Sequence, residues 1–363
     1  MTKIAKKITE REKVNFSGKN IYIGLDVHKK NWYASVYVEQ QFVKTFHQES
    51  TGTILLKFLQ TNYPNGQYKA CYEAGFCGFS VYRELTSLGI ECVIANPADI
   101  PQTNKGQLSK TDASDSRRIG EAFSKQFIKP IYIPDKVTES DRSLIRYRKK
   151  TQIALKAKKQ NIKSCLNTLG IKIPIQYDKP YWTNNFINWL KGLDINETSS
   201  KITIEFIIED ILLLRKRLLS INKKIRDLSK TSIYYDNYLI LTSAPGVGLI
   251  TAMTLLTEVG NIKRFDNFNK FNSFIGLCPM EFSSGEKQKK GPMTTRSNKT
   301  IRSLIIEASW IAIRQDPALT LKYQELIKTK TNKRAIVIIA RKLLSRIYTI
   351  WKTGQMYERA IVK

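Results

Sequence analysis

The spacing of the first predicted strands limits how the N-terminal part of the chain can fold. Residues 20–26, 31–38 and 41–46 each have the pattern of a strand, and the connections between them are too short for a helix to cross over. These three segments must therefore pair antiparallel, as a meander. From Thr51 onward the pattern changes to the alternation of helices and strands that is typical of parallel βαβ units. The predicted elements are a helix over 51–61, a strand over 68–72, a helix over 77–89, a strand over 91–95 and a helix over 112–125.

Three antiparallel strands followed by parallel units predict a mixed sheet of the ribonuclease-H-like type. The predicted fold class is therefore α/β plus α, with two or three domains expected for 363 residues. We divide the chain into a basic leader (1–19), a mixed-sheet domain (20–135) that the family resemblance given below implies to be RuvC-like, a basic helix with a coiled coil (136–235), a mainly α domain (236–330) and a C-terminal helix (331–363).

The middle segment carries a long apolar seam and a cationic helix. The seam has alternating spacings of three and four, which predicts a coiled-coil helix that forms either a hairpin within the chain or a dimer contact. Its positions are Ile204, Ile207, Ile211, Leu214, Leu218, Ile221, Ile225 and Leu228. Upstream, residues 142–163 contain nine basic residues and no acid. Such a run is either a solvated face or a surface that contacts nucleic acid.

Composition narrows the partners and the chemistry. The chain has 60 Lys and Arg against 31 Asp and Glu, a formal charge of +29, and this excess favours a polyanionic partner. Its 42% hydrophobic residues are enough for real cores. The two histidines, His28 and His47, leave little room for Ser-His-Asp or Cys-His chemistry. Five cysteines without a CxxC pair indicate buried free thiols, and the absence of an apolar span or signal peptide predicts a cytoplasmic protein without membrane contact.

Four acids follow the predicted elements in an order typical of metal-dependent nucleases. Asp26 and Glu73 each close an apolar strand, and Asp112 and Asp115 stand three apart at the start of a helix. Carboxylates at one rim of a sheet can converge on a cation, and hard oxygen ligands favour Mg²⁺ or Mn²⁺. The alternative is structural, with Thr111 or Asp112 capping the helix and Asp115 stabilising its positive end. Lys110 and His28 are candidates for phosphate contact, although a plain surface role is equally compatible with His28.

Two further motifs lie in the C-terminal part. The run 241–248 with Gly246 and Gly248 resembles a helix-hairpin-helix turn, whose backbone N–H groups can meet a phosphate, or else it is a plain glycine turn. The Ser283-Ser284-Gly285 stretch offers a serine nucleophile among cations, or else a serine-rich turn. The basic residues predicted to contact nucleic acid are Arg142, Arg146, Arg148, Lys149, Lys150, Lys287, Lys289, Lys290, Arg296 and Arg302.

Together these motifs resemble the DEDD transposases of the insertion-sequence family numbered one hundred and ten. The resemblance covers about residues 20–320 and rests on Gly24–Lys29, Tyr72–Gly75, Lys110–Asp115, the 245–248 turn and the block from Ser283 through Arg302. It implies a metal site at Asp26, Glu73, Asp112 and Asp115, and a nucleophile at Ser284, with Ser283 adjacent. One departure is Asn298, near which many relatives have a glycine; Asn tolerates the left-handed backbone expected there.

The resemblance implies a transposase that moves a mobile element through a circular intermediate by cleaving and exchanging double-stranded DNA. It further implies a noncoding bridge RNA as guide and a homo-oligomer, a dimer or a tetramer. Two alternatives stay open. One is a site-specific DNA invertase or a Holliday-junction nuclease with the same metal domain. The other is a non-catalytic nucleic-acid-binding remnant in which the acids are structural.

Overall fold

The chain forms two compact units, Met1–Ile133 and Pro134–Lys363. The computed structural model describes residues 15–101, 111–179, 182–284 and 287–359, and gives backbone but no side chains for the strand residues among 280–290. The division after Ile133 lies two residues before the boundary predicted at 135. The second unit contains the three segments that the sequence assigned to separate domains, and each unit is described here by itself.

The first unit is built on a five-stranded mixed sheet. Its strands are β1 (Asn20–Val27), β2 (Asn31–Val38), β3 (Gln41–Glu49), β4 (Gln67–Glu73) and β5 (Glu91–Ala95), and its helices are α1 (Gly52–Asn62), α2 (Ser80–Ser87) and α3 (Asp112–Ser124). The order is β3-β2-β1-β4-β5. The first three strands pair antiparallel, and β4 and β5 extend the sheet in parallel. The predicted α/β mixed sheet is confirmed, and it is consistent with a RuvC-like domain.

The central strand β1 is buried on both faces because helices cover both sides of the sheet. Ile21, Ile23 and Leu25 pack into one core with side chains from α1 and α2. The alternate residues, which include Gly24 and Asp26, therefore point to the opposite face. Helix α3 packs on that face, against β1, β2 and β4.

A glycine-to-glycine contact sets how closely α3 approaches the sheet. A Cβ placed on Gly24 would lie 2.2 Å from the backbone N of Gly120 and 2.2 Å from the backbone O of Ser116. No side chain fits at either glycine, so the helix backbone rests directly on the strand backbone. Nearby, the hydroxyl of Ser116 lies 2.8 Å from the Ser35 hydroxyl of β2, which fixes the helix along the strand direction.

The second unit is mainly helical. Its elements are α4 (Lys136–Thr168), α5 (Asn184–Lys191), α6 (Thr198–Ser229), α7 (Tyr235–Ser243), α8 (Leu249–Val259), α9 (Phe268–Ile275), β6 (Pro279–Ser284), β7 (Lys287–Met293), α10 (Lys299–Gln315), α11 (Pro317–Ile327) and α12 (Asn332–Thr353). Helix α8 is buried along most of its length, from Thr251 to Val259, and its residues share one core with α10 and α12. The hairpin of β6 and β7 lies where the sequence indicated only a serine-rich block.

The long helices α4 and α6 form an antiparallel pair within the chain. Nε of Arg148 donates to Oδ1 of Asn222 at 2.7 Å, and Nζ of Lys158 lies 2.6 Å from Oδ2 of Asp210, so the contacts run in opposite directions along the two helices. All eight positions of the predicted seam are buried or half-buried. The seam therefore serves an intramolecular hairpin; coiled-coil supercoiling and a contact between chains stay predictions.

Two expectations about the environment of the chain can be compared with the structure. Within the described ranges, no helix combines the length and apolarity that a bilayer crossing requires. All five cysteines are free thiols; Cys71 and Cys92 are buried as the sequence indicated, whereas Cys77, Cys165 and Cys278 are half-buried. Burial raises the pKa of the Cys92 thiol to about 12.

The glycine contact yields a stability prediction. Gly24→Ala should force α3 away from β1 and cost at least about 3 kcal/mol, because the clash is with backbone atoms that cannot rotate away. Hydrogen exchange followed by mass spectrometry should show lost protection in peptides from β1 and α3.

The matched control for this substitution is Gly75→Ala in the same unit. A Cβ there would meet the Glu73 carbonyl oxygen at 3.7 Å, an ordinary contact. It should change stability by less than about 1 kcal/mol. Equal protection in the Gly24→Ala and Gly75→Ala proteins would contradict the proposed close approach.

Candidate active site

Two of the four acids lie at the ends of neighbouring parallel strands. Leu25 of β1 is in register with Tyr72 of β4, so Asp26 and Glu73 follow at the same level. Both belong to the face on which α3 packs, since Cys71 of β4 shares a core with Ile119 of α3. Strand alternation and parallel register therefore place two carboxylates beside each other, under the start of α3.

The N-terminus of α3 supplies the other two acids. Thr111 caps the helix: its Oγ1 accepts from the backbone N of Ser114 at 3.2 Å, and Oγ of Ser114 accepts from the backbone N of Thr111 at 3.1 Å. This capping box occupies Thr111 and Ser114. The capping interaction thus does not use Asp112 or Asp115, which stay in the first turn with their carboxylates toward the sheet edge.

His28 stands between one acid of the sheet and one acid of the helix. Its Nε2 lies 3.3 Å from Oδ2 of Asp26 and 3.5 Å from Oδ2 of Asp112. One ligand atom from each of these three residues falls within 4.8 Å of the others, which is the spacing of a metal-binding group. The imidazole is 44% exposed, so a ligand can reach it from solvent.

Arg118 has the corresponding place beside the other two acids. Its Nη2 lies 3.1 Å from Oδ1 of Asp115 and 3.9 Å from Oε2 of Glu73. In the described part of the chain, its Nε is buried without a hydrogen-bond partner. The four acids are therefore arranged as two pairs, each with a nitrogen-bearing side chain between its members.

The environment of Asp26 disfavours its charged form. Partial burial is the main cause that raises its pKa above the ordinary value, and the negative charges of Asp112 and Asp115 raise it further. His28 opposes this shift, both by its charge and by a hydrogen bond. Asp26 thus carries the cost of a partly buried charge beside two further acids, a cost that a bound cation would reduce.

The donor set at this edge fits a divalent cation. Asp26 and Asp112 offer carboxylate oxygens and His28 offers an imidazole nitrogen, and Mn²⁺ and related ions accept both kinds of ligand. Glu73 and Asp115 lie at the same edge through Arg118. The sequence placed all four acids in one set, and the structure brings His28 into that set as well.

Ser283 and Ser284 lie in a β-hairpin of the second unit. Ser283 and Ser284 are the last residues of β6, and Ser284 pairs with Lys287, the first residue of β7. The side chains of Ser283, Ser284, Lys287, Lys289 and Lys290 lie outside what the structure describes, and so does the whole of Lys110. Their predicted roles as nucleophile and phosphate contacts therefore stay predictions.

The base of this hairpin is fixed by hydrogen bonds. Nη1 of Arg302 donates to the carbonyl of Thr294 at 2.8 Å and to that of Gly276 at 3.2 Å. Asn298 caps α10 through Oδ1 and donates from Nδ2 to Oε2 of Glu258 at 3.2 Å. Asn298 has φ −76°, so the left-handed backbone expected there was wrong; its amide makes bonds that a glycine cannot make.

The two glycines of the 244–248 turn have different roles. Gly246 has φ +78°, and a Cβ on it would lie 2.2 Å from the carbonyl oxygen of Ala308, so this glycine is required for packing on α10. Gly248 is the N-cap of α8 and has open space around its Cα. A short turn therefore connects α7 to α8. The helix-hairpin-helix motif and phosphate binding by Gly246 and Gly248 stay predictions.

The basic residues of α4 divide into internal and external groups. Nε of the buried Arg142 donates to the Thr257 carbonyl at 2.9 Å. Arg146 makes a two-pronged bond to Glu258, at 2.7 and 2.8 Å. Arg148 donates a hydrogen bond to Asn222, and Lys149 donates one to Thr300 at 2.8 Å. Lys150 of the same helix is exposed, and so is Arg296, which lies just before α10. These bonds give Arg142 and Arg146 structural roles, and their contact with nucleic acid stays a prediction.

Sequence reasoning named His28 only as a candidate phosphate contact and left out Arg118. The position of His28 two residues after Asp26, just past the end of β1, contained a signal for a place beside that acid. Helix periodicity contained one for Arg118, three residues after Asp115. Nothing in the sequence pairs Glu258 with Arg146, since 112 residues separate them.

Comparisons with known proteins agree with this geometry. A family model described as a transposase, for the DEDD transposases of IS110, matches residues 23–171, and the model for the transposase IS116/IS110/IS902 family matches residues 238–324. The transposase for insertion sequence element IS1533 of Leptospira borgpetersenii is 26% identical over 301 residues, which are 80% of this chain and 85% of that protein.

Two further relatives match over shorter stretches. The protein y4qE of Sinorhizobium fredii is 28% identical over 240 residues, 66% of this chain, and the match spans 57% of the length of that protein. The pilin gene-inverting protein of Moraxella bovis is 28% identical over 129 residues, 34% of this chain and 39% of that protein.

The raised pKa of Asp26 yields a prediction for stability without metal. When the pKa of a carboxyl group is higher in the folded protein than in the unfolded chain, ionisation of that group lowers the free energy of unfolding. This cost is absent at a pH below the usual pKa and is complete at a pH above the folded-state pKa. Asp26→Asn should therefore raise the melting temperature in EDTA at pH 7, by about 2–4 °C for each kcal/mol removed, with a smaller gain near pH 4.

The control for Asp26→Asn is Asp99→Asn, an exposed acid of the same unit. Added Mn²⁺ should then stabilise the wild type and the Asp99→Asn protein but not Asp26→Asn. A melting temperature of Asp26→Asn at or below that of the wild type in EDTA at pH 7 would show that the charge at position 26 carries no such cost.

Proposed function

Because this chain belongs to the IS110 family of DEDD transposases, and is therefore a DNA-recombining enzyme, we propose that it excises and inserts a mobile element by metal-dependent strand cleavage and exchange. A chain of this family binds DNA, and its charge of +29 suits a polyanionic substrate. Which element it moves and at which sequences is left to experiment.

The observation that carries the proposal is the convergence of acids at one edge of the mixed sheet. Asp26 and Asp112 come from elements 86 positions apart in sequence, yet His28 lies within 3.5 Å of a carboxylate oxygen of each. The structural alternative named Thr111 or Asp112 as the helix cap, and Thr111 takes that role, which leaves Asp112 free to face His28. A partly buried acid whose pKa is raised, beside further acids, is typical of functional sites.

The cofactor of this site is proposed to be Mg²⁺ or Mn²⁺. Asp26, Asp112 and His28 would hold the ion, with Glu73 and Asp115 available beside them. When bound, a divalent ion supplies Lewis-acid stabilisation of the charge that develops on the phosphoryl oxygens.

The other side chains of the site position the acids and the substrate. Arg118 holds Glu73 and Asp115 near each other and presents a permanent positive charge at the same edge. His28 keeps Asp26 and Asp112 at a fixed separation before any ion arrives.

The nucleophile is proposed to be the hydroxyl of Ser284. Its Oγ would form a bond to the scissile phosphorus while the bond from phosphorus to a sugar oxygen breaks, which gives a phosphoserine linkage. The proton lost from Oγ is balanced by the one that the departing sugar oxygen takes up. Attack by a freed sugar hydroxyl on this linkage then joins the exchanged strands and releases the serine.

Guidance by a noncoding bridge RNA and action as a homo-oligomer complete the proposal. The support for both is the family, together with a positive charge that suits two nucleic-acid partners at once. In an oligomer, Ser284 of one protomer can act at the acids of its partner.

A second candidate function is site-specific inversion of DNA. The similarity to the pilin gene-inverting protein of Moraxella bovis favours it, although that match covers only 34% of this chain. The acids and the serine would carry out the same bond exchange on two sites in one molecule. The two functions differ in product, because excision gives a circle and inversion gives a reversed segment.

The serine mechanism predicts a covalent protein–DNA adduct. With Mg²⁺ and substrate DNA, the wild type should form an adduct that survives denaturing electrophoresis, and Ser284→Ala should reduce its yield at least about 100-fold, since the attacking oxygen is gone. Ser283→Ala is the matched control and should leave most of the adduct. If Ser284→Ala formed the adduct with the yield of the wild type, Ser284 would not be the nucleophile, and Ser283 would be the next candidate.

The acid site predicts the product in cells. PCR across the abutted ends of the element should give a circular junction when the gene is present with its native flanks. Asp26→Ala and Ser284→Ala should each abolish that junction, because each removes one half of the chemistry. A reversed junction in place of the circle would favour inversion, and no product from the wild type would favour a binding-only remnant.

A further inference from the structure

A basic cavity lies within the second unit, and neither the four acids nor the two serines are among its lining residues. It has a volume of about 760 Å³ and opens between α4, α8 and α10. Pockets of 300–1,000 Å³ are the usual size of ligand sites in proteins. Neither the acids nor the serine block accounts for it.

The rim of this cavity is cationic. Arg148, Lys149 and Lys150 come from one turn of α4, and Lys299 is the first residue of α10. Lys149 is held in place, since its Nζ donates to Oγ1 of Thr300 at 2.8 Å. The N-terminus of the 17-residue helix α10 adds its positive dipole to the same rim.

The acids of the cavity weaken this positive charge very little. Both carboxylate oxygens of Glu258 already accept hydrogen bonds, from Arg146 on one side and Asn298 on the other, and the residue is 7% exposed. Glu307 is the other lining acid, and it is exposed to solvent, where its charge is screened. A negatively charged ligand therefore meets a net positive rim.

One wall is apolar. Ile153, Ile250 and Leu304 line it, and Ile153 is 59% exposed, so a ligand can reach its side chain. A cationic rim beside an apolar wall matches a nucleotide that has left its stack, with phosphate on the cations and the base against the hydrocarbon.

We propose that this cavity binds unpaired nucleotides of a nucleic acid strand, phosphates at Lys149, Lys150 and Lys299 and a base at Ile153. The inference rests on the proposed function for the identity of the ligand as a nucleic acid. DNA and RNA strands share the chemistry that the cavity recognises. The experiment separates these two sources and also separates this site from the catalytic one.

The test measures binding of full-length protein to labelled single-stranded DNA, single-stranded RNA and duplex DNA of one sequence. EDTA in every sample prevents cleavage, and each affinity is measured between 50 and 300 mM salt. The variant is Lys150→Gln with Lys299→Gln, both exposed residues of the rim. The matched control is Lys156→Gln with Lys216→Gln, also exposed, on α4 and α6 and away from the cavity.

The salt dependence gives a signature of lost phosphate contacts. Removing two contacts should make the slope of log K against log salt less steep by about 1.4 for a single strand, and should weaken binding about tenfold at low salt. The control pair should leave the slope within about 0.3 of the wild type. Ile153→Ser should weaken strand binding about threefold with an unchanged slope, because it removes contact with a base and no charge.

Each outcome decides between stated alternatives. A changed slope for the RNA strand alone, or for the DNA strand alone, supports the cavity and identifies its ligand. Equal slopes for the rim pair and the control pair, or an effect confined to duplex DNA, overturns it. Adduct formation on the same preparations tests the proposed function separately, since a protein that forms the adduct with unchanged slopes has lost only the cavity proposal.

A second measurement guards against variants that fail to fold. Wild-type protein is photocrosslinked to strands that carry 5-iodouracil in DNA or 4-thiouracil in RNA, and the joined peptides are identified by mass spectrometry. Crosslinks within 145–153 or 297–307 support the cavity. Crosslinks confined to other segments overturn it.

Discussion

The close contact of two glycine backbones is the constraint on which the acid site depends. Helix α3 carries Asp112 and Asp115, and its distance from the sheet is set where Gly120 rests on Gly24. With any side chain at position 24, α3 would stand farther from β1 and the acids of helix and strand would separate. Both glycines are therefore as much a part of the site as the carboxylates, although neither touches a substrate.

This close approach brings negative charges together, and neighbouring side chains offset part of their repulsion. Four acids at one sheet edge repel one another; burial is the main cause of the raised pKa of Asp26, and the charges of Asp112 and Asp115 raise it further. His28 and Arg118 each stand between one acid of the sheet and one acid of the helix. The protein can therefore keep the acids in place before a metal arrives, while the remaining charge still favours a divalent ion over an empty site.

In the second unit, one buried acid organises two regions. Glu258 accepts from Arg146 of α4 and from Asn298 at the start of α10, and Arg302 of the same helix holds the base of the serine hairpin. One wall of the basic cavity and the entry to the hairpin thus share a single hydrogen-bonded network. Breaking the bonds of Arg146 and Asn298 to Glu258 would leave a buried carboxylate unpaired.

The sequence by itself determined the elements of the mixed sheet, the apolar seam of α6 and the order of the acids, because these follow from periods of two and of three to four residues within short windows. It also gave the family, through motifs that are local. Tertiary structure decided what depends on distant partners: that α6 packs on α4 of the same chain, that Asn298 avoids the left-handed region because its side chain caps a helix, and that Glu258 meets Arg146. Each of these is a choice among contacts that local patterns permit equally, and only the packing of the whole unit, which pairs most of the buried polar groups, selects one of them.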